Sequence, residues 1–460
     1  MSPRPRVLPD RAVQGRALAS RSVTADAPTL LPPVTPPTQL RPPVTPPTQL
    51  RPPALPVTTP AQLRPPALPD LPPPWHTPER EALQLQARAF ARDEVLPVAN
   101  ELDPQKGLLP PALLGRLAEL GYFGITTATA HGGMGLGAFE YCMVAEEIAR
   151  AWMSAASIIA RAQGLGTGLA DDSRRTELLE RSARGEWIGA IALSEPDAGS
   201  DLAGVRTRAV REGEEWVITG HKRWCGNAEA ADFIQVLVRT RDAEPGESRS
   251  AGLETLLVEK ERGSFPDGLT GTPIDKIGYH GFLTWDLVFD GVRIPAGNVV
   301  TTGHGDESGF SGVGAWLDVA RVHTAARAVG LAQAAVEDCT TYLQEREQFG
   351  HPIGDFQALR FALADMATEV AAARALYRQV AHLIDCGVSC TQQAAMAKLR
   401  ASEMAAAVTT QAMQLHGGNG YTTERAVERH WRDARLTTIF EGTSEIQRKI
   451  ISDGMLPRPR

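Results

Sequence analysis

Apolar residues recur at helical spacing from Thr77 onward, and "TPEREALQLQARAFARDEVLPVANELD" predicts a helix opening at that threonine. "LLPPALLGRLAELGYFG" predicts a second helix, closed by Gly121. After "HGGMGLG" the run "AFEYCMVAEEIARAWMSAASIIARAQGLGTGL" is apolar on one face and then all round, the pattern of a buried helix. From Trp187 the period shortens. "IGAIAL", "RTRAVREG", "EWVITGHKRW", "FIQVLVRT", "LETLLVEK" and "WDLVFDGVRIP" are short alternating or apolar runs separated by Gly, Asp and Asn, and predict strands. Beyond residue 312 come three long helical stretches, ending at Glu347, Cys386 and Gly417, and a last short one, "SEIQRKIISDGM". The expected fold is α+β and multidomain: helices over 76–190, a β domain over 191–305 and a helical bundle over 306–460.

Residues 1–75 follow none of these periods. "PPVTPPTQLR" occurs at 32–41 and again at 42–51, and 22 of the 35 prolines lie in this segment, which predicts an extended, disordered tail. Charge divides in the same place. The tail carries eight arginines, no lysine and three aspartates, while the rest carries 39 basic and 51 acidic residues, a net −12. An acidic body argues against nucleic-acid binding. No apolar run approaches the ~20 residues needed to span a bilayer, and the N-terminus lacks the apolar core of a secretory signal. Five cysteines without C-x-x-C spacing fit a reducing cytoplasm. Cys386 and Cys390, four apart, read as buried residues on one helix face, and no metal site is expected.

Four stretches carry candidate chemistry. "ALSEPDAGSD" (192–201) brings small residues and hydroxyls to a strand end, where backbone can approach a flat ligand. "GHKRWCGNA" (220–228) sets Trp224 beside a Gly-Asn turn, and an indole can cover a planar ring. In "EREQFGHPIGDFQALRFALADM" (345–366), Arg346 suits bidentate contact with a pyrophosphate, flanked by Phe349, Phe356 and Gln357. The fourth is "QLHGGNGY" followed by "IFEGTSE", where Glu441 stands between an aromatic and a glycine. A carboxylate in apolar company holds its proton more tightly, and so serves as a base toward a weak acid.

These four stretches, in this order across residues 78–455, resemble the acyl-CoA dehydrogenases. "SEPDAGSD" is similar to one signature of that family, and "HGGNGY…RDAR…IFEGTSEIQ" to its C-terminal one. The resemblance implies a helical domain, a β-barrel-like middle domain and a four-helix bundle, assembled as a homo-oligomeric dimer of dimers around FAD. It implies dehydrogenation of an acyl-CoA thioester to a 2,3-enoyl thioester, with an electron-transferring flavoprotein as electron partner. Glu441 matches the catalytic base. Leu193, Ser194, Trp224 and Gly226 match positions at the flavin ring. Arg346, Phe349, Phe356, Gln357, Gln414 and Gly418 match positions that reach the FAD of a neighbouring subunit, and Thr443 and Glu445 match contacts near its nucleotide end. Ser200, Asp318, Arg321 and Gly442 match the substrate side, and the stretch Trp152–Arg161, with Ala155, Ala156 and Ala160, is expected to line the acyl tail.

Two departures stand out. Family members usually carry Thr or Ser two residues after the tryptophan, where this chain has Gly226. Where many read Gly-x-Arg-x-Ser, it has "GYHGF", with His280 and Phe282. These leave open a thioester carried on an acyl carrier protein, or an oxidase using O₂. A flavin-binding scaffold whose proline-rich arm recruits partners is the non-enzymatic alternative, and the intact Glu441 argues against it.

Overall fold

The computed structural model describes residues 74–301 and 312–457. The repeat-bearing tail and the expected boundary at 305/306 lie outside the described residues. Thr77 caps the first helix, its Oγ1 accepting from the Arg80 N–H at 3.2 Å, and Pro78 takes the first helical position where no N–H is needed. Helix α1 (Pro78–Phe90) runs through one π turn (Ala91–Val95) into α2 (Leu96–Leu102). α3 (Pro111–Glu119) ends before Gly121, which is left-handed at φ +75°. The long buried helix expected from Ala138 is broken. α4 (Ala138–Ala151) stops at Trp152, whose backbone is extended (φ −156°, ψ 116°), and α5 (Met153–Ile158) restarts beyond it. The reason is long-range: the Trp152 indole N–H donates to Asp103 at 3.1 Å, a bond invisible to helical periodicity. α6 (Asp172–Ala183) completes the first helical layer.

The middle layer is one curled sheet of β1 (Gly189–Ala192), β2 (Arg208–Glu212), β3 (Glu215–Gly226), β4 (Phe233–Arg239), β5 (Leu253–Glu259), β6 (Leu269–Ile274) and β7 (Thr284–Pro295). Its order is β1-β4-β2-β3-β7-β6, with β5 paired to β4. Strand β6 has no counterpart in the sequence reading, because "LTGTPI" contains both Gly271 and Pro273. It is an edge strand pairing only with β7 among the described residues, the one position in a sheet that tolerates proline. The sheet therefore curls without closing.

The C-terminal layer packs α7 (Gly312–Glu345), α8 (Gln357–Asp385) and α9 (Thr391–His416), with a small hairpin of β8 (Glu347–Gln348) and β9 (His351–Pro352) between the first two. α10 (Ala426–Thr437) and α11 (Ser444–Asp453) follow. α10 has no counterpart among the stretches read as bundle helices. It buries Val427, His430 and Ala434 on one face. Cys386 and Cys390 flank the α8–α9 turn rather than sharing a helix face, and Cys386 is exposed.

The three layers meet at a buried cluster of charge. Asp103, just past α2, is fully buried and takes hydrogen bonds from Trp152 and from Arg432 of α10 (2.5 Å). His280 of the middle layer hydrogen-bonds the Asp103 carbonyl at 3.1 Å. Burial works against the Asp103 carboxylate, but the bonds from His280 and Arg432 outweigh it and hold its pKa at about 2. The neighbouring Asp433 goes the other way: burial, and the charge on Asp103, push it up to about 6. Its Oδ1 accepts from the Tyr279 N–H at 2.6 Å.

Because folded Asp433 holds its proton more tightly than an unfolded aspartate, the folded state binds more protons between pH ~4 and ~6. That contribution is present at the acid end and lost as pH rises through about 6. Asp103 titrates below this window. Asp433→Asn keeps an acceptor for Tyr279 and removes the loss. Its melting temperature relative to the parent should climb steadily from pH ~4 to ~7, whereas a constant offset would show that Asp433 does not titrate as described.

Candidate active site

Glu441 sits in the loop between α10 and α11. Its backbone is left-handed (φ +53°), a conformation costing a non-glycine residue about 1–2 kcal/mol. The surrounding structure enforces it. Lys398 of α9, wholly buried, donates to the Gly442 carbonyl at 2.7 Å, and Gln447 donates to the same carbonyl at 2.9 Å and to the Glu441 carbonyl at 3.3 Å. Burial lowers the Lys398 pKa to about 8. Gly442 is required twice over. Its φ is +85°, and a Cβ there would lie 2.6 Å from Gln447 Nε2. Thr443 then caps α11, its Oγ1 accepting from the Ile446 N–H at 3.3 Å. Sequence reasoning missed Lys398 and Gln447. The signal for the first was a lone lysine in the small apolar run "AAMAKL".

Glu441 opens onto a cavity of about 630 Å³. Tyr141 and Ser157 come from the first layer, Tyr279 from the middle, and Ala320, His323 and Arg327 from α7. Neither the Glu441 carboxylate nor its backbone N–H has a hydrogen-bond partner among the described residues. The other carboxylate on the wall, Asp385, is engaged by the N–H groups of Ala138 and Phe139 at 2.5 and 3.0 Å. Of the expected apolar setting, Phe440 is half-buried against Tyr279 (ring centroids 5.8 Å), whereas Ile439 is exposed. Ala160 lines the cavity as expected, together with Ser157 and Arg161; Ala155 and Ala156 are buried behind it.

Strand β3, whose Gly226 adjoins Arg161 of the cavity wall, carries a bulge against β7 between Lys222 and Cys225. Trp224 stands on it in a left-handed conformation (φ +68°), with its side chain exposed and the Arg223 guanidinium 4.8 Å from its ring. The Arg223 N–H donates to the Ser194 carbonyl at 2.8 Å, so Ser194 and Trp224 lie on adjacent backbone. Lys222, buried, donates to the Leu193 carbonyl (2.9 Å) and to Glu195 (2.8 Å). Glu195 also accepts from the Arg206 and Thr207 N–H groups, so the acid of the "SEPDAGSD" motif is a structural clamp. Ser200 is exposed and away from the cavity lining. A strained, exposed indole beside a hydroxyl is explained by nothing in the fold's own packing, and it fits a planar ring of flavin dimensions.

The departures at Gly226 and Phe282 prove to be one feature. A Cβ on Gly226 would lie 3.1 Å from Phe282 Cε2 and 3.1 Å from Arg161 Nη2. Phe282 is buried against Tyr279 (4.8 Å) and fills the space that a larger residue 226 would take. His280 belongs to the Asp103 cluster.

The remaining candidates do not converge on this cavity. Asp318 and Arg321 form a buried ion pair on α7 (2.6 Å), and Thr391 of α9 donates to Asp318 at 2.6 Å. They adjoin the cavity through Val319 and Ala320. Arg346, Phe349 and Gln357 are exposed around the β8–β9 hairpin, Phe349 at 90% and left-handed, with Phe356 half-buried against it (5.9 Å). Gln414, Gly418 and Glu445 are also exposed.

A helix–sheet–helix chain that sets a carboxylate without a hydrogen-bond partner on a cavity wall is consistent with the oxidoreductase family that the four sequence stretches resemble. Comparison with known proteins agrees. Family models for the acyl-CoA dehydrogenase N-terminal, middle and C-terminal domains match residues 77–186, 190–292 and 307–456. The chain is 39% identical to a probable acyl-CoA dehydrogenase (YngJ) of Bacillus subtilis over 83% of its own length and 98% of that protein's. It is 36% identical to an acryloyl-CoA reductase (NADH) of Anaerotignum propionicum over 83% and 95%. Among solved structures, a glutaryl-CoA dehydrogenase of Mycobacterium smegmatis in complex with FADH2 superposes with a TM-score of 0.76 at 26% identity, over 84% of this chain and 96% of that one. The chain belongs to the acyl-CoA dehydrogenase family, whose members are FAD-dependent oxidoreductases. Among the described residues no helix is long and apolar enough to cross a membrane.

Gly226→Thr should destabilise the protein by about 1–3 kcal/mol through overpacking. Combined with Phe282→Ser, the same substitution should cost less than the sum of the two single changes. Denaturation of the four proteins of this cycle measures the coupling, and strict additivity would refute the contact.

Proposed function

We propose that this protein is an FAD-dependent dehydrogenase of acyl-CoA thioesters in which Glu441 removes the α-proton. The observation that carries this is the Glu441 carboxylate, held by a strained backbone, facing the cavity without a partner. An α-proton beside a thioester is too weakly acidic for a carboxylate unless the charge arriving on the carbonyl oxygen is stabilised. Glu441 supplies the base through its side chain and a donor for that oxygen through its unpaired N–H. Lys398 and Gln447 fix both by gripping the carbonyls of residues 441 and 442. Trp224, Ser194 and Leu193 would hold the flavin ring. FAD, when bound, supplies the acceptor for the β-hydride. Asp318 and Arg321 would take the CoA portion.

The same groups serve the reverse direction, since a protonated Glu441 can return the proton to the α-carbon, and the reductase among the relatives fits such a site. The electron partner then sets direction, and an electron-transferring flavoprotein is the partner proposed for dehydrogenation. The exposed rings of Phe349 and Tyr421 support burial of the hairpin and glycine cluster against a second subunit, where Arg346, Phe356, Gln357, Gln414 and Gly418 would meet its FAD. Thr443 and Glu445 would approach the nucleotide end.

Glu441→Gln keeps shape and backbone while removing the base. Anaerobic stopped-flow reduction of the flavin by substrate should slow by roughly 10²–10⁴-fold with FAD still bound. Reduction at the parental rate would place the base elsewhere. Arg346→Ala should lower FAD retention and weaken the oligomer together. An apo variant that keeps its full assembly, or a dissociated one that keeps FAD, would separate cofactor from interface.

A further inference from the structure

The protein follows a rule for buried arginines that it breaks at two places among the described residues, and one of them faces the cavity. Arg429 of α10 hydrogen-bonds only Asn100 and the Ala151 carbonyl and is not on the cavity wall, and the other is Arg327. Arg374 and Arg378 meet the buried Glu146, Arg150 meets Glu147, Arg321 meets Asp318, and Arg432 meets Asp103. Such pairing is expected, because a buried charge without a partner costs several kcal/mol. Arg327, 3% exposed on α7, has no carboxylate partner among the described residues. Its Nη1 donates to Ser157 at 2.6 Å and its Nη2 to Thr324 at 2.8 Å, both neutral hydroxyls. Its Nε is buried without an acceptor, and its guanidinium lies 5.0 Å from the ring centre of Phe440, the residue before Glu441.

A second guanidinium joins it. Arg161, half-buried at the end of the turn after α5, lines the same cavity and makes no hydrogen bond or ion pair among the described residues. Both arginines bear on His323, which is stacked on Tyr141 (4.4 Å, 9°) with its Nε2 unsatisfied. Burial, then Arg327, then Arg161, drive the His323 pKa well below its ordinary value, so the ring is neutral and adds no charge of its own. The wall thus presents two cations. The acids on it are Glu441, needed free for the reaction, and Asp385, already engaged by backbone.

We propose that Arg327 and Arg161 form a receptor for a second carboxylate, carried at the far end of the substrate's acyl group, so that the preferred substrate is the CoA thioester of a short dicarboxylic acid. Ser157 orients Arg327, and three of its five N–H donors, that on Nε and one on each Nη, have no acceptor among the described residues. Arg327, Arg161 and the base Glu441 line one cavity, and the Arg327 guanidinium stands beside Phe440, the residue next to that base. The proposal rests on the thioester dehydrogenase reading and adds the chemistry of the acyl terminus.

The test compares glutaryl-CoA with pentanoyl-CoA, equal in chain length and differing in the terminal carboxylate. Dissociation constants for the FAD-loaded protein would be measured by calorimetry, with anaerobic flavin reduction alongside. Glutaryl-CoA should bind about 10- to 100-fold more tightly, as expected for charge-assisted hydrogen bonds. In Arg327→Met, and separately in the less buried Arg161→Met, that ratio should fall toward one. Circular dichroism and melting temperature would establish that each variant folds, and Arg161→Met keeps the test open if Arg327→Met does not. Equal binding of the two thioesters by the parent, a ratio unchanged in a folded variant, or equal weakening of both ligands would overturn the proposal. Flavin reduction by pentanoyl-CoA with no preference for glutaryl-CoA would sink the receptor while leaving the dehydrogenase reading intact. Failure of every thioester to reduce the flavin would instead defeat both.

Discussion

The Asp103 carboxylate is the constraint on which the rest of the architecture depends. It is fully buried, and three separate layers supply what stabilises it: Trp152 from the first, His280 from the middle sheet and Arg432 from α10. A buried charge cannot be left half-paired, so the layers must close together or the ion is stranded. Closure also fixes the site. Trp152 breaks the helix so that α5 turns toward the cavity, and Asp433 holds the backbone of Tyr279, whose ring stands on the cavity wall.

Around Glu441 the polar interactions act from behind. Lys398 and Gln447 hold carbonyl oxygens, leaving the carboxylate and the N–H of residue 441 free toward the cavity. A support that used the side chain itself would stiffen the loop equally well and abolish the chemistry. The arrangement separates rigidity, which comes from the backbone, from reactivity, which stays on the side chain.

Much of this was legible in the sequence, and what was not shares a cause. Long helices and alternating strands announced themselves by period, and Glu441 by a motif whose glycine and threonine have local jobs. The break at Trp152, the clamp role of Glu195 and the contact of Gly226 with Phe282 and Arg161 all depend on residues distant in the chain. Strand β6 was hidden because Gly271 and Pro273 break strand propensity, and only its place at the sheet edge excuses them. α10 was hidden because charged residues dominate it, although several of those charges are buried and partnered. Arg327 and His323 had a local signal after all: two ionisable side chains, four apart, on a helix stretch rich in alanine and valine.

Gln163, Tyr279 and Glu441 all hold left-handed backbone that glycine would adopt without strain, and all three line the cavity. Each side chain is thus kept against a local conformational preference of about 1–3 kcal/mol. A lineage selected for heat resistance alone, with no demand on turnover, would find glycine at these positions among its easiest gains. At Gln163, Tyr279 and Glu441, which line the cavity, the backbone angles themselves record what it costs to keep those side chains there.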